Sequence, residues 1–287
     1  MLLASEPAGV PSAAAVMARA GGENFPVASR VLPRRVRSHL LAIYGFARLV
    51  DELGDAGGGD RLQALSELEA DLGLAFEGRA RHPLLQRLSQ TIADCSLTRE
   101  PFLRLIEANR MDQRVHRYET WVQLRSYCAL SADPVGELVL EVFGLATPGR
   151  VAYSNSICTA LQLIEHSQDV AEDLRAGRVY MPAEDLRRFG CTIEALSDRN
   201  AGEPLRGVIA FEVERARGLL ADGAPLIDEL HGRARLAVAA FLAGGLAAAD
   251  AIERAGFDVL PGAPTAGGAR RLLALARVLT HRVGRPA

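Results

Sequence analysis

Apolar residues recur at intervals of three and four along almost the whole chain, which is the spacing of one face of an α-helix. Alternating runs of Val, Ile and Thr, which are typical of a half-buried strand, are nearly absent. Clusters of Gly and Pro interrupt the pattern at AGGGD (56–60), TPGR (147–150), RAGR (175–178) and LPGAPTAGG (260–268). The predicted helices cover residues 12–20, 35–53, 60–77, 82–94, 99–110, 119–129, 133–143, 149–175, 192–196, 203–221, 225–230, 233–254 and 268–282. No long linker and no internal repeat appears, so the pattern predicts a single all-α domain over residues 1–287.

The longest apolar run is LAVAAFLAGGLAAA at 236–249, which is shorter than the roughly 20 residues of a transmembrane helix. We therefore expect it to form a core helix. The N-terminal segment has no basic region before its apolar residues, so no secretory signal is predicted. The four cysteines are widely spread without a CxxC pair, as expected of reduced, mostly structural thiols. Together these features predict a cytoplasmic protein.

Composition narrows the classes of function further. Hydrophobic residues make up 49% of the chain and charged residues 24%, which suits a folded domain with a sizeable core. The net charge of −2 provides no overall positive field, so no nucleic-acid partner is expected. The C-terminal segment is basic, and this is compatible with peripheral contact to anionic lipid at the inner face of the membrane. Its basic residues are Arg270, Arg271, Arg277, His281, Arg282 and Arg285, with Leu272, Leu275 and Leu279 between them. A terminal helix docked on the protein body is the more frequent arrangement.

Two predicted helices each bear acidic residues four positions apart, which places them on one helical face. In AIYGFARLVDELGD (42–55), Asp51 and Asp55 share a face with Tyr44 and Arg48. In the second helix, Glu165, Asp169 and Asp173 form a ladder of three carboxylates. Like charges at this spacing destabilise a helix by roughly 0.2–0.5 kcal/mol per pair, so a cation or a basic partner is needed if the face is buried.

A facing arrangement of the two helices would bring four carboxylates to one cavity, and such oxygen ligands suit Mg²⁺ bridged to a substrate phosphate. Arg48 can bind a diphosphate through two hydrogen bonds, and Tyr44 can donate another. This chemistry suits ionisation of an allylic diphosphate. A structural salt-bridge network with Arg175 and Arg178 is the alternative interpretation. His166 lies near the acidic face, but a lone His is more often structural, and the sequence contains no HExxH, GxSxG, GxGxxG or Walker motif.

These segments together resemble the squalene/phytoene synthase family, the head-to-head class of trans-prenyltransferases. DELGD resembles the first acidic motif of that family, and QDVAEDLRAGRVYMP resembles the second. ENFPVASRVLP (23–33) is similar to its N-terminal diphosphate-binding segment, and MDQRVHRYETWVQLRSYC (111–128) and ADPVGELVL (132–140) are similar to its central helices. ENFPVASRVLP combined with QLIEHSQDVAED is most similar to the bacterial hydroxysqualene synthase branch, which serves hopanoid synthesis.

The resemblance implies an isoprenoid-synthase-type helical bundle around a central cavity, with a core from about residue 20 to about residue 258. It also implies a set of site residues. The implied Mg²⁺ ligands are Asp51, Asp55, Asp169 and Asp173, which with Arg48 are the expected catalytic residues. The implied diphosphate or substrate contacts are Asn24, Phe25, Tyr44, Arg48 and Gln162. The residues expected to border the site are Tyr127, Arg178 and Tyr180. Many relatives have Asn at the position of Glu165 and Arg at that of Gln168, and Glu165 is expected to be a further Mg²⁺ ligand.

The expected reaction is Mg²⁺-dependent ionisation of presqualene diphosphate, with water capturing the cation to give hydroxysqualene. Enzymatic alternatives are the condensation of farnesyl diphosphate to presqualene diphosphate or squalene, and phytoene synthesis. The alternative from another class is a non-catalytic helical assembly protein. The expected partners are the prenyl diphosphate substrate and, functionally, other enzymes of the squalene pathway.

Overall fold

The computed structural model describes residues 32–55 and 60–280, and every regular element in these ranges is helical apart from one isolated bridge between Arg117 and Val179. The α-helices are α1 (Arg34–Asp55), α2 (Arg61–Phe76), α3 (Pro83–Cys95), α4 (Glu100–Asp112), α5 (Trp121–Ser131), α6 (Asp133–Val142), α7 (Pro148–Gln168), α8 (Val170–Arg175), α9 (Ala183–Arg188), α10 (Glu203–Gly223), α11 (Leu226–Glu229), α12 (Gly232–Arg254) and α13 (Gly268–Leu279). A 3₁₀ helix at Glu194–Ser197 lies between α9 and α10.

The described residues form two compact units. The first contains α1 to α4 together with the segment Glu137–Ala146, which is the C-terminal part of α6 and the residues after it. The second contains Val115–Gly136 and the chain from Thr147 onwards. The prediction of a single domain is not tested by this division, and it stays a prediction.

In the first unit, α1 packs against α2, α3 and α4. Phe46 of α1 is fully buried and meets Phe102 of α4 edge to face, with ring centroids 5.1 Å apart. The helix ends have local caps. Asp60 accepts a hydrogen bond from the backbone N–H of Gln63 at the start of α2, which satisfies one of the free amides of the first turn. These contacts fix α1, the helix that bears the first acidic pair.

In the second unit, α7 and α10 pack along their lengths, and α12 packs against both. Gly223 allows the close approach of α10 to α7. A Cβ at Gly223 would lie 2.7 Å from the carbonyl oxygen of Tyr153 and 2.5 Å from Cγ1 of Ile157, so a larger residue would separate the helices. Thr147 caps α7 through its side-chain oxygen, and Pro148 follows as the first helical residue. The second acidic segment follows directly from this packed helix.

Helix α12 contains the apolar run at 236–249. By length and composition it is the one helix in the described part of the chain that could cross a membrane, and 61% of its 18-residue apolar stretch is buried. It packs against α7, α10, α11 and α13. This burial agrees with the expectation of a core helix.

Most predicted helices in the described ranges are confirmed within a few residues, and two differ. The predicted helix at 149–175 is interrupted at Asp169, where the backbone leaves the helical region. The predicted helix at 192–196 is a 3₁₀ helix at 194–197, and α9 was not predicted. The predicted helix at 12–20 lies outside the described residues, as does the end of the one at 268–282. All four cysteines are free, and burial raises the pKa of Cys128 and Cys158 to about 12, as expected of structural thiols.

Candidate functional site

The first acidic pair lies on the less buried face of α1. Ile43, Phe46, Leu49 and Val50 are buried in the first unit, as their helical spacing predicts. The opposite face bears the predicted site residues of α1. Tyr44, Arg48 and Asp51 are partly exposed, and Asp55 at the end of the helix is exposed. The predicted sharing of one face by these four residues is therefore confirmed.

The carboxyl group of Asp51 is desolvated and has one clear hydrogen-bond donor. Burial raises the pKa of Asp51 to about 6, and the neighbouring Asp55 and Asp112 act in the same direction. Asn109 opposes the rise because its Nδ2 donates a hydrogen bond to Asp51 Oδ1 at 3.1 Å, and the positive charge of Arg48 also opposes it. A bound cation would favour the charged form of this carboxylate.

Gly54 allows α4 to reach α1 at this point. A Cβ at Gly54 would lie 2.2 Å from Oδ1 of Asn109, so any larger residue would displace the amide that binds Asp51. Gln113 fixes the same place, because its Nε2 donates to the carbonyl oxygen of Gly54 at 3.0 Å. The glycine of the DELGD segment thus sets the surroundings of its first carboxylate.

Arg48, one turn before Asp51, has a buried Nε atom. No hydrogen-bond acceptor lies within reach of this Nε among the described residues. A buried donor without an acceptor is costly, so its persistence favours an acceptor supplied by a ligand. An oxygen-rich anion such as a diphosphate has the required chemistry.

The second acidic pair lies where α7 gives way to α8. Asp169 has dihedral angles of φ −100° and ψ 14°, which end one helix and begin the next. The backbone hydrogen bonds nevertheless keep the spacing of four: Asp169 N–H donates to Glu165 O at 2.9 Å, and Asp173 N–H donates to Asp169 O at 2.8 Å. The predicted ladder of Glu165, Asp169 and Asp173 therefore persists through the interruption.

Asp169 is as strongly perturbed as Asp51. Burial raises its pKa to about 6, the nearby carboxylates of Asp173 and Glu172 add to the rise, and His166 acts in the opposite direction. Each acidic pair thus contains one carboxyl group whose charged form is only partly compensated within its own unit. Such groups are frequent at functional sites.

His166 joins the second acidic pair to an aromatic cluster, defined here as Tyr118, Tyr127, His166 and Tyr180. Its ring stacks on Tyr180 with centroids 3.8 Å apart and an interplanar angle of 13°. Its Nδ1 lies 3.8 Å from Asp173 Oδ2, and its Nε2 lies 3.2 Å from Nε2 of Gln162. An amide nitrogen only donates, so Nε2 is placed to accept in this arrangement, and Nδ1 faces Asp173. The hydroxyl oxygens of Tyr127 and Tyr180 are 3.5 Å apart.

A cavity of about 10 Å³ lies against this cluster, and its lining includes His166, Asp173, Arg178 and Tyr180. That volume has room for about one water molecule. The polar groups in the lining provide the donors and acceptors that an ordered water needs.

The segment Arg178–Met181 is held in place by main-chain hydrogen bonds. Arg178 N–H donates to Asp173 O, and Val179 N–H donates to His116 O, both at 2.8 Å. One residue beyond Pro182, Ala183 N–H donates to Tyr118 O at 2.9 Å. These bonds bring Arg178 and Tyr180 to Asp173 and Tyr127 within the second unit.

The remaining predicted site residues are placed as follows. Gln162 and Glu165 lie on α7, both partly exposed, and Tyr127 is buried on α5. Asn24 and Phe25 lie outside the described residues. The two acidic pairs belong to different units, so their convergence on one central cavity stays a prediction. No group of three or more His, Cys, Asp or Glu side chains suited to a metal occurs within residues 32–55 and 60–280.

The alternative salt-bridge network finds no support from Arg175. That side chain is exposed, and its Nε donates to the carbonyl oxygen of Ala171 at 3.1 Å. No ion pair joins Arg175 to either acidic pair in the part of the chain that the structure describes.

Known proteins provide an independent comparison. The family model described as squalene/phytoene synthase matches residues 18–277. The chain belongs to this family. One relative, a hydroxysqualene synthase of Rhodopseudomonas palustris, is 36% identical, and the match covers 72% of this chain and 71% of the relative. Another, a presqualene diphosphate synthase of the same organism, is 33% identical, and the match covers 72% of this chain and 75% of the relative. The crystal structure of squalene synthase HpnC from Alicyclobacillus acidocaldarius is 46% identical, with a TM-score of 0.78, covering 84% of this chain and 92% of that one.

Membership of the squalene/phytoene synthase family confirms the predicted fold class, an all-α isoprenoid-synthase fold. It also identifies the protein as an isoprenoid-synthase enzyme. Sequence reasoning missed Asn109 and Asp112 on α4 and Tyr118 before α5, although all three act on the predicted residues. The available signal was a polar residue at a core position, because Asp112 is buried in an otherwise amphipathic helix.

Proposed function

We propose that this protein ionises presqualene diphosphate in a Mg²⁺-dependent reaction and directs water to the resulting cation, which yields hydroxysqualene and diphosphate. The bond between carbon and the diphosphate oxygen breaks, and its electron pair leaves with the diphosphate. After rearrangement of the cyclopropylcarbinyl cation, a water oxygen bonds to carbon and loses a proton. The similarity to hydroxysqualene synthases supports this product.

The observation on which the proposal rests is the pair of desolvated carboxyl groups, Asp51 and Asp169, each with its pKa raised to about 6. The cost of ionising them near neutral pH is offset when cations bind. The buried Nε of Arg48, which lacks an acceptor among the described residues, supplies the complementary need for an anion. A magnesium diphosphate satisfies both requirements.

The carboxylates fit Mg²⁺ by their chemistry. Mg²⁺ binds through one or two carboxylates and completes its shell with water and substrate phosphates, so an acidic pair is a sufficient protein contribution. The proposed ligands are Asp51 and Asp55 in one unit and Asp169 and Asp173 in the other, with Glu165 as a further ligand. When bound, the metal would neutralise the charge that develops on the departing diphosphate.

The chain's own side chains have separate proposed roles. Arg48 and Tyr44 donate hydrogen bonds to the diphosphate, as does the amide of Gln162. Tyr127 and Tyr180 border the hydrocarbon with aromatic faces, and Arg178 adds positive charge beside them. A closed apolar surrounding preserves a cation until a chosen nucleophile reaches it.

The chosen nucleophile is one admitted water molecule. The cavity of about 10 Å³ beside His166 and Asp173 supports this assignment because it has room for about one water. We propose His166, which lines this cavity, as the residue that holds the water, and Glu165, the preceding residue on α7 and outside the lining, as a second. His166 is itself oriented by Gln162, Asp173 and the Tyr180 ring.

Condensation of two farnesyl diphosphates to presqualene diphosphate is a second candidate, favoured by the similarity to a presqualene diphosphate synthase. It uses the same acidic pairs. In the first candidate, a separate condensing enzyme must supply the presqualene diphosphate.

Product analysis tests the proposal. The protein is incubated separately with presqualene, farnesyl and geranylgeranyl diphosphates, with and without Mg²⁺, and the products are identified by mass spectrometry. We expect presqualene diphosphate to give an alcohol without NADPH, and ¹⁸O-labelled water to label the hydroxyl group. Squalene formed only with NADPH, or an unlabelled alcohol, would overturn the assignment. Absence of diphosphate release from every substrate would favour the non-catalytic assembly protein. Asp51→Asn should abolish diphosphate release, and Glu67→Gln, which alters an exposed acid on α2, should leave it unchanged as the control.

A further inference from the structure

Helix α13 presents an exposed apolar face with arginines beside it. Leu272 and Leu273 are 68% and 54% exposed, whereas most large hydrophobic side chains of the described chain are covered. Ala274 and Val278 of the same helix are buried, and α13 packs against α12. We propose that the exposed face of α13 binds the surface of a membrane that contains anionic lipids. This inference does not depend on the proposed reaction.

The geometry of the helix directs this face away from the protein. At about 100° per residue, the direction midway between Leu272 and Leu273 lies roughly 170° from the direction midway between Ala274 and Val278. The exposed Ala269 and Ala276 fall between the two leucines on the helical wheel. The outward face is thus a continuous apolar strip, defined here as the lipid face: Ala269, Leu272, Leu273 and Ala276.

The charges beside the lipid face favour an anionic partner. Arg270 and Arg277 are exposed and flank the strip on one side, and no ion pair involving either one occurs among residues 32–55 and 60–280. The sequence after Asp258 contains arginines at 270, 271, 277, 282 and 285 and no acidic residue, although the whole chain has a net charge of −2. Positive charge is therefore concentrated in the part of the sequence that contains the lipid face.

The size of the strip favours lipid over a second protein surface. A helix of 12 residues is about 18 Å long, so one face about 10 Å wide offers roughly 200 Å². Stable protein interfaces bury about 800 Å² on each partner. An interfacial helix needs less, because apolar side chains enter the acyl boundary while arginines attract anionic headgroups.

Vesicle co-sedimentation of the full chain tests the proposal, with phosphatidylcholine vesicles prepared with and without phosphatidylglycerol. We expect the wild type to bind the vesicles that contain phosphatidylglycerol at low salt and to be released at high salt. Leu272→Ser with Leu273→Ser should weaken binding at least about tenfold. Arg270→Gln with Arg277→Gln should weaken it about 25-fold, at roughly fivefold per arginine, and should remove the preference for anionic vesicles.

Two matched controls isolate the lipid face. Val122→Ser changes a side chain that is 72% exposed on α5, and Arg199→Gln changes an exposed arginine before α10. Both should bind as the wild type does, and all variants should share its melting temperature because every altered side chain is exposed.

Failure of the wild type to bind, or unchanged binding by the leucine variant, would overturn the proposal. A dimer that the leucine variant converts to a monomer in ultracentrifugation, without vesicle binding, would assign the face to a second copy. None of these measurements requires turnover.

Discussion

Replacement of Gly54 by alanine should reveal how the contact between α1 and α4 sets the pKa of Asp51. The new Cβ would lie 2.2 Å from Asn109 Oδ1, and ordinary contact requires about 3.4 Å, so the amide must retreat by about 1 Å. Its hydrogen bond to Asp51, now 3.1 Å, would then break. Hydrogen bonds to charged groups contribute about 1.5–3 kcal/mol. At about 1.4 kcal/mol per pKa unit, the pKa of Asp51 should rise by at least about one unit from its present value of about 6.

The effect of Gly54→Ala on stability has two opposing parts. Overpacking costs about 1–3 kcal/mol, and alanine in place of glycine in a helix contributes up to about 1 kcal/mol of stability. Because the gain is about 0.5–1 kcal/mol, the variant should be destabilised by up to about 2.5 kcal/mol. Gly218→Ala is the matched control, since a Cβ on this exposed glycine of α10 meets nothing within 4 Å. The control should gain up to about 1 kcal/mol.

Urea unfolding measures the stability of both variants, and a carboxyl NMR titration of the metal-free protein measures the pKa of Asp51. At pH 7 a higher pKa leaves a smaller ionised fraction, so the affinity for Mn²⁺ should fall for Gly54→Ala and recover as the pH is raised. If Gly54→Ala stabilised the protein as Gly218→Ala does and left the titration of Asp51 unchanged, the described contact between Asn109 and α1 would be refuted.

Three further predictions concern charge and stacking. Asp51→Asn and Asp169→Asn should each abolish turnover. Each should leave the melting temperature of the metal-free protein equal or slightly higher, because a desolvated carboxylate is removed. A marked fall in the melting temperature would favour a structural salt bridge instead. Glu212 is 0% exposed, and its burial raises its pKa to about 7 despite Arg215; the folded state therefore binds its proton more tightly than the unfolded state. Stability should fall by about 3 kcal/mol as the pH rises from about 4.5 to about 7, and Glu212→Gln should flatten this slope in urea titrations at a series of pH values. Tyr180→Phe keeps the ring that stacks on His166 and should retain more activity than Tyr180→Leu; equal losses in kcat would contradict a role for the stack.

Much of the helical framework could be predicted because each long helix has its own amphipathic pattern. The face of α1 with Tyr44, Arg48 and Asp51 follows from spacing alone, since i and i+4 share a side in any helix. The interruption at Asp169 could not be read in the same way. The hydrogen bonds on both sides keep the helical spacing, so the apolar pattern continues across a change of dihedral angles.

Contacts between distant parts of the chain were beyond prediction from this one sequence. Asn109 donates a hydrogen bond to Asp51, which lies 58 positions earlier in the sequence, and no local pattern indicates which residue of α4 faces Gly54. Helix α9 has six residues, which is too short for a periodic signal to be distinguished from a turn. The assembly of Tyr118 with Tyr180 depends on the packing of the second unit rather than on either local segment.

The main-chain attachment of Arg178–Met181 has a consequence for how this protein can vary over evolution. The attachment and its continuation at Ala183 and Glu184 use the peptide carbonyl groups of residues 116, 118 and 119. The side chains of His116, Arg117 and Glu119 are exposed. Every amino acid residue has a backbone carbonyl group, so mutations at these three surface positions leave the acceptors of the anchoring bonds in place. The side chains at these positions can thus vary among descendants without loss of the anchoring bonds, although Glu119 also forms an ion pair with Arg187. Tyr118, whose buried ring points inward, is under a packing constraint as well.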